Sequence, residues 1–263
     1  MKSSNPVLTR GFAQMDPARL GVNPTETDSL EATYSAPAAS ALRTGRMTID
    51  DVVIKTAMLF VVLVAVGAFA WRANLGGGAL LVGLLGGFAL AMVNTFSKKV
   101  RPALIISYAG LQGLALGTLS NMYNTIYPGI VSQAVIGTVC AFAGMLFAYR
   151  SGRIRVTPKF TRVITGALLG YFLLALVSMF AGFAGVSGGA GLYGVSGLGL
   201  LLALGGVALA SFFLVLDFDQ IQKSINAGVA QEESWRAAFG LMVTLVWLYL
   251  EILRLISILR GNN

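Results

Sequence analysis

The sequence predicts an all-α membrane protein with seven transmembrane helices, and three observations carry that prediction. The chain is 56% apolar and only 11% charged over its 263 residues, where a soluble domain carries about 25% charged residues. Seven apolar runs follow one another, each long enough to cross the hydrocarbon core of a bilayer. Lysine and arginine alternate between rich and poor from one gap to the next, as they do in loops on opposite sides of a membrane.

Residues 1–48 are rich in Ser, Thr, Pro and Ala, carry scattered charge and show no sustained period. They read as a flexible cytoplasmic tail, with 49–263 as the membrane domain. The first long apolar run begins near Val52, too far from Met1 for a secretory signal, so it reads as a retained span. The runs fall at about 53–71, 78–96, 102–120, 129–149, 163–185, 197–222 and 238–259. Breaker residues mark the gaps: Gly76-Gly77-Gly78, Arg101-Pro102, Pro128-Gly129, and Arg150 to Arg162 with Pro158 inside.

The charge pattern orients the chain. Lys2, Arg10, Arg19, Arg43, Arg46 and Lys55 lie at the entry, and the next gap carries only Arg72. Lys98, Lys99 and Arg101, then Arg150, Arg153, Arg155, Lys159 and Arg162, then Lys223 and Arg236, fall in alternate gaps. One side thus holds 16 of the 19 basic residues, which predicts a cytoplasmic N-terminus and a C-terminus on the far side.

The net charge of +8 is a topology signal and not a nucleic-acid footprint, because no basic helix or aromatic-lined groove follows it. Histidine is absent, which excludes Ser-His and Cys-His nucleophiles and His-ligated zinc. Cys140, the single cysteine, forms no intrachain disulfide and reads as a small apolar residue within a span. No phosphate-binding loop occurs. The expectation is a protein that is not an enzyme and carries no cofactor. Small residues four apart, at Gly83/Gly87, Gly113/Gly117 and Gly166/Gly170, predict close helix packing within the bundle, with a homodimer face as the alternative.

Ionisable groups inside apolar runs are costly, about 2.5–3.5 kcal/mol each at a helix centre, and mark function or pairing. The candidates are Asp217 and Asp219 in LVLDFDQIQ, and Glu251 with Arg254 in WLYLEILRL. Glu251 and Arg254 are three apart on one helical face and could form a local ion pair. Asp217 and Asp219 could be interfacial carboxylates that reach water or Lys223. The sharper reading joins Asp217 and Glu251 as a carboxylate pair sharing one proton, a pH sensor and a candidate calcium ligand. That pairing requires residues 223–236 to be partly extended or interfacial, because Glu251 lies about 20 Å above Ala238 and Asp217 only about 8 Å above Gln222.

Two segments resemble the Bax-inhibitor family of membrane proteins, also called transmembrane Bax-inhibitor-motif proteins. The end of the chain, Leu248-Tyr249-Leu250-Glu251 through ILRLISILRG, is similar to the family's LYLD-type last helix, and Asp217-Phe218-Asp219-Gln220-Ile221 to its D-T-x-x-I segment. The resemblance covers about residues 50–261, including RPALIISYAGLQGLALG at the third run. It implies a bundle wrapped around the last helix, and a carboxylate pair, Asp217 and Glu251, whose protonation controls a calcium leak. Arg101 or a neighbouring lysine is then a candidate for stabilising a closed state. Glu251 stands where the family usually has Asp, and Phe218 follows Asp217 in place of Thr.

The functional expectation is a passive, pH-sensitive leak for calcium or another cation in the bacterial inner membrane, with an organelle membrane as the alternative site. The rival is a non-conducting regulator that binds other membrane proteins. An ion-coupled transporter fits less well, since no pair of equivalent halves with broken helices is visible.

Overall fold

The computed structural model describes residues 45–185, 191–194 and 197–261. Among them are seven helices long and apolar enough to span a membrane. They are α1 (Ile49–Arg72), α2 (Gly77–Phe96), α3 (Pro102–Ile126), α4 (Ile130–Arg150), α5 (Pro158–Phe183), α6 (Leu198–Asn226) and α7 (Glu233–Gly261), with a 3-10 turn at Gly191–Gly194. Every predicted run corresponds to one helix, and the helices exceed the runs mainly by polar end turns. Residues 1–44 of the predicted tail lie outside the described residues, as does much of the gap at 186–196.

The helix ends follow local chemistry. Thr48 and Asp51 form a reciprocal capping box at the start of α1, with Asp51 N–H donating to Thr48 Oγ1 at 3.2 Å and Thr48 N–H to Asp51 Oδ2 at 3.0 Å. Pro102 and Pro158 open α3 and α5, where a missing N–H costs nothing. Gly129, at φ +80°, makes the left-handed turn between α3 and α4, and its N–H donates to Asn124 Oδ1 at 2.9 Å.

α7 packs against α1, α3, α4 and α6, so the last helix is the hub of the bundle. Leu248, Leu253, Leu214 and Ile130 form one core around it, and Leu59, Met242, Ala238 and Ile105 a second. Tyr108 and Phe239 meet edge-on at 5.0 Å in the second core. The outer faces expose Val61, Phe69, Leu85, Phe88, Phe172 and Phe183. Large apolar side chains turned outward in this number fit lipid, in which they bear no hydrophobic penalty.

The small-residue pairs divide. α1 and α3 touch backbone to backbone at Gly113 and Gly117, where a Cβ would collide with the Leu63 and Gly67 carbonyls. Gly83 sits as tightly, its would-be Cβ 2.7 Å from Ala115 N. At Gly166 and Gly170 on α5 a Cβ would meet only open space. Among the described residues α5 packs mainly on α6 and the 3-10 turn, with Tyr171 reaching Trp247 of α7 at 6.0 Å, and neither of these glycines meets a neighbouring helix.

The last residues before α1 make contacts of their own. Residues 45–48 are tied to the bundle although Gly45 and Arg46 are exposed: Met47 is 2% exposed, and its N–H donates to Val229 O at 2.9 Å. Gln231 N–H donates to Gly45 O at 2.8 Å, completing a short antiparallel bridge between Arg46 and Ala230. Gln231 Nε2 also donates to Asp51 Oδ1 at 2.7 Å, and Lys55 Nζ donates to Ser234 Oγ. The segment entering α1 is therefore stitched to the α6–α7 linker.

Candidate functional site

Among the described residues Glu251 is the most deeply buried charge, 3% exposed, in the second half of α7. Helix periodicity puts Trp247 and Arg254 on its face. Trp247 Nε1 donates to Glu251 Oε1 at 3.1 Å, and Arg254 Nη1 lies 3.3 Å from Oε1 and 3.4 Å from Oε2. The Arg254 guanidinium stacks on Tyr193 at 4.2 Å from the ring centre, and Tyr193 O–H donates to Tyr171 O–H at 2.8 Å. Gly206 on α6 leaves room for the carboxylate: a Cβ there would stand 2.5 Å from both Glu251 Oε2 and the Tyr171 hydroxyl. These groups line a cavity of about 510 Å³ between α5, the 3-10 turn and α7. The local ion pair expected between Glu251 and Arg254 is present.

Asp217 occupies a second cavity, of about 530 Å³, at the end of the bundle where α1 begins. Met47, Ser224, Glu233 and Arg236 share its lining. Thr244 on α7 faces Asp217, yet Asp217 Oδ2 is buried with no hydrogen-bond partner among the described residues. An unsatisfied buried carboxylate oxygen is costly and points to a ligand, a proton or a water. Arg236 is held away from it by Glu233, at 3.1 Å, and by the carbonyl of Ser97, at 3.0 Å.

The structure does not bring Asp217 and Glu251 together. Gly206 faces Glu251 whereas Thr244 faces Asp217, which separates the carboxylates by about 10–16 Å along the α6–α7 seam at 1.5 Å per residue. The cause is the linker. α6 stays helical to Asn226 and α7 starts at Glu233, so too few residues remain to bring the levels together. Asp217 then lies about 13 Å from its helix end and Glu251 about 27 Å from the start of α7. They cannot be ligands of one calcium ion.

The remaining predicted residues resolve separately. Asp219 pairs with Lys223 at 2.6 Å on its own helix and faces neither cavity. Arg101 caps α3, is exposed, and forms no ion pair among the described residues. Arg236, not Arg101, is the basic residue beside Asp217. Sequence reasoning also missed Tyr171, Tyr193 and Met47. Tyr193 lay in a gap read only as a loop, but the T-x-x-D spacing of Thr48 and Asp51 already signalled that the segment beside Met47 is ordered.

No group of three acidic, cysteine or histidine side chains that could hold a metal occurs among the described residues. Tight calcium sites need six to eight oxygens. The Glu251 cavity offers one carboxylate and the Asp217 cavity two, Asp217 and Glu233, the latter paired with Arg236.

Seven apolar helices, the last of them central, with two carboxylates set apart from each other on the α6–α7 seam, define a multi-pass membrane protein with ionisable groups in its interior. The family model described as Bax inhibitor 1 like matches residues 5–261, and the chain belongs to that family. The match reaches well into the N-terminal segment, beyond the 50–261 that the motifs alone indicate. A search of curated proteins finds no match.

Proposed function

We propose that the protein is a passive, pH-sensitive leak for calcium or a similar hard cation, with Asp217 and Glu251 acting as two separate stations and not as a pair. The observation that carries the reading is the half-buried Asp217 carboxylate, whose buried Oδ2 has no partner among the described residues, at one end of a seam whose other end holds Glu251. Ionised carboxylates attract hard cations through oxygen, so protonation lowers occupancy and the leak falls as pH is lowered. Arg254 opposes passage at Glu251, since its guanidinium already neutralises that station.

The charge distribution supports an N-terminus in the cytoplasm. Arg46, Lys55, the basic residues between Lys98 and Arg101, those between Arg150 and Arg162, Lys223 and Arg236 all lie at the Ile49 end, against Arg72, Arg254 and Arg260 towards the other. A bacterial inner membrane is our preferred location, with an organelle membrane second. The absence of histidine from the sequence supports a non-enzymatic role.

The rival reading is a non-conducting regulator that binds membrane proteins. Glu251 favours it, because Trp247 and Arg254 already satisfy that carboxylate as a structural fastening. Calcium flux into proteoliposomes across a pH series separates the two. The leak reading expects flux above empty liposomes, with weaker pH dependence in Asp217→Asn. Folded protein without flux supports the regulator.

A further inference from the structure

We propose that the groove between α1 and α4 is a binding site for one anionic phospholipid, with Arg72 at the headgroup and an acyl chain lying along Val64, Val135 and Val139. Two helices that each pack on α7 leave between them a cavity of about 550 Å³. Its floor is formed by Leu116 of α3 and Leu245 and Val246 of α7, beside the Gly67–Gly117 contact, and its side walls are exposed valines. The polar atoms on its inner wall are already satisfied, Ser120 and Tyr249 by each other at 2.6 Å and Thr138 by Ala134 O at 2.7 Å. The groove therefore asks for hydrocarbon.

Its length fits one leaflet. From Arg72 to Phe60 the groove follows the last part of α1, about 18 Å, against about 15 Å for half the hydrocarbon core. Trp71 and Arg72 stand together at the mouth, where an amphipathic ring and a cation belong in the headgroup region.

Charge selects the headgroup. Arg72 makes no hydrogen bond or ion pair among the described residues. Of the acidic side chains in the described segments, only Glu251 lies towards this end of the bundle, and Arg254 holds it. Arg260 donates instead to Pro128 O at 2.9 Å. A cation without a protein partner, above a groove shaped for a chain, is complementary to a phosphate-bearing lipid with net negative charge and indifferent to a zwitterionic one.

The test is native mass spectrometry of the full chain with phosphatidylglycerol and phosphatidylcholine of identical acyl chains. A single headgroup-level cation predicts a preference for phosphatidylglycerol of about fivefold. Arg72→Gln abolishes that preference and Arg72→Lys keeps most of it. Val135→Trp, which fills the groove from its exposed wall, weakens both lipids, and Val139→Trp serves the same end should the first variant fold poorly. Inorganic phosphate does not displace the lipid. Equal binding of the two lipids, a preference that survives Arg72→Gln or follows Arg260→Gln, or retention of both lipids with the groove filled would each overturn the proposal.

Discussion

α1 and α3 meet backbone to backbone at Gly117, and a graded series of substitutions tests that contact. A Cβ at Gly117 would lie 2.7 Å from Gly67 Cα and 2.8 Å from its carbonyl carbon, and no rotamer change relieves a backbone neighbour. Gly110, on the same helix, has nothing within 4 Å of its Cβ position. Alanine brings the same helix-propensity gain, up to about 1 kcal/mol, at both sites, so the difference between the two variants isolates the steric term. Overpacking of this kind costs about 1–3 kcal/mol, which is the expected stability gap between Gly110→Ala and Gly117→Ala. Gly67→Ala falls between them, because its Cβ would stand 3.3 Å from Gly113 O. Unfolding in mixed micelles by titrated dodecyl sulfate, followed by tryptophan fluorescence, measures the gap. Equal stability of the Gly110 and Gly117 variants would refute the α1–α3 contact.

Other consequences are as specific. Met47→Ala removes a 2% exposed anchor beside Asp217 from the strap of residues 45–48, costs about 2–5 kcal/mol, and raises hydrogen exchange along that strap. Unchanged exchange there would sink the strap. Tyr249→Phe leaves Ser120 without its 2.6 Å partner and costs about 1 kcal/mol in the same unfolding assay. Lys223→Ala opens an ion pair whose lysine is 64% exposed and changes stability by no more than about 1 kcal/mol. Gly206→Ala drives a Cβ into the Glu251 carboxylate and the Tyr171 hydroxyl, both held by hydrogen bonds, and costs about 1–3 kcal/mol in the unfolding assay.

Hydropathy and charge made the spans legible, because lipid demands long apolar helices whatever they pack against. Helix ends were readable where Pro, Gly or a capping pair marked them, as at Pro102, Gly129 and Thr48. The Glu251–Arg254 pair was readable because it is local to one helix. The Asp217–Glu251 pairing failed because it depends on the register between two helices, and register is set by how far helicity runs into the linker. Gly166 and Gly170 failed likewise: spacing announces a smooth face but not which neighbour covers it. Tyr193 reaches Arg254 from a short turn with no periodic signal.

The central claim is that Asp217 and Glu251 act as separate stations, and a double-mutant cycle on calcium flux tests it most directly. Asp217→Asn, Glu251→Gln and the double variant are reconstituted into liposomes and assayed from acid to alkaline pH. Groups more than about 7–10 Å apart add within about 0.5 kcal/mol, so the account predicts that the log-flux effects of the single variants sum to that of the double at every pH. A double variant no worse than either single, with one shared titration lost in both, would show the carboxylates working as one proton-sharing unit and contradict the account.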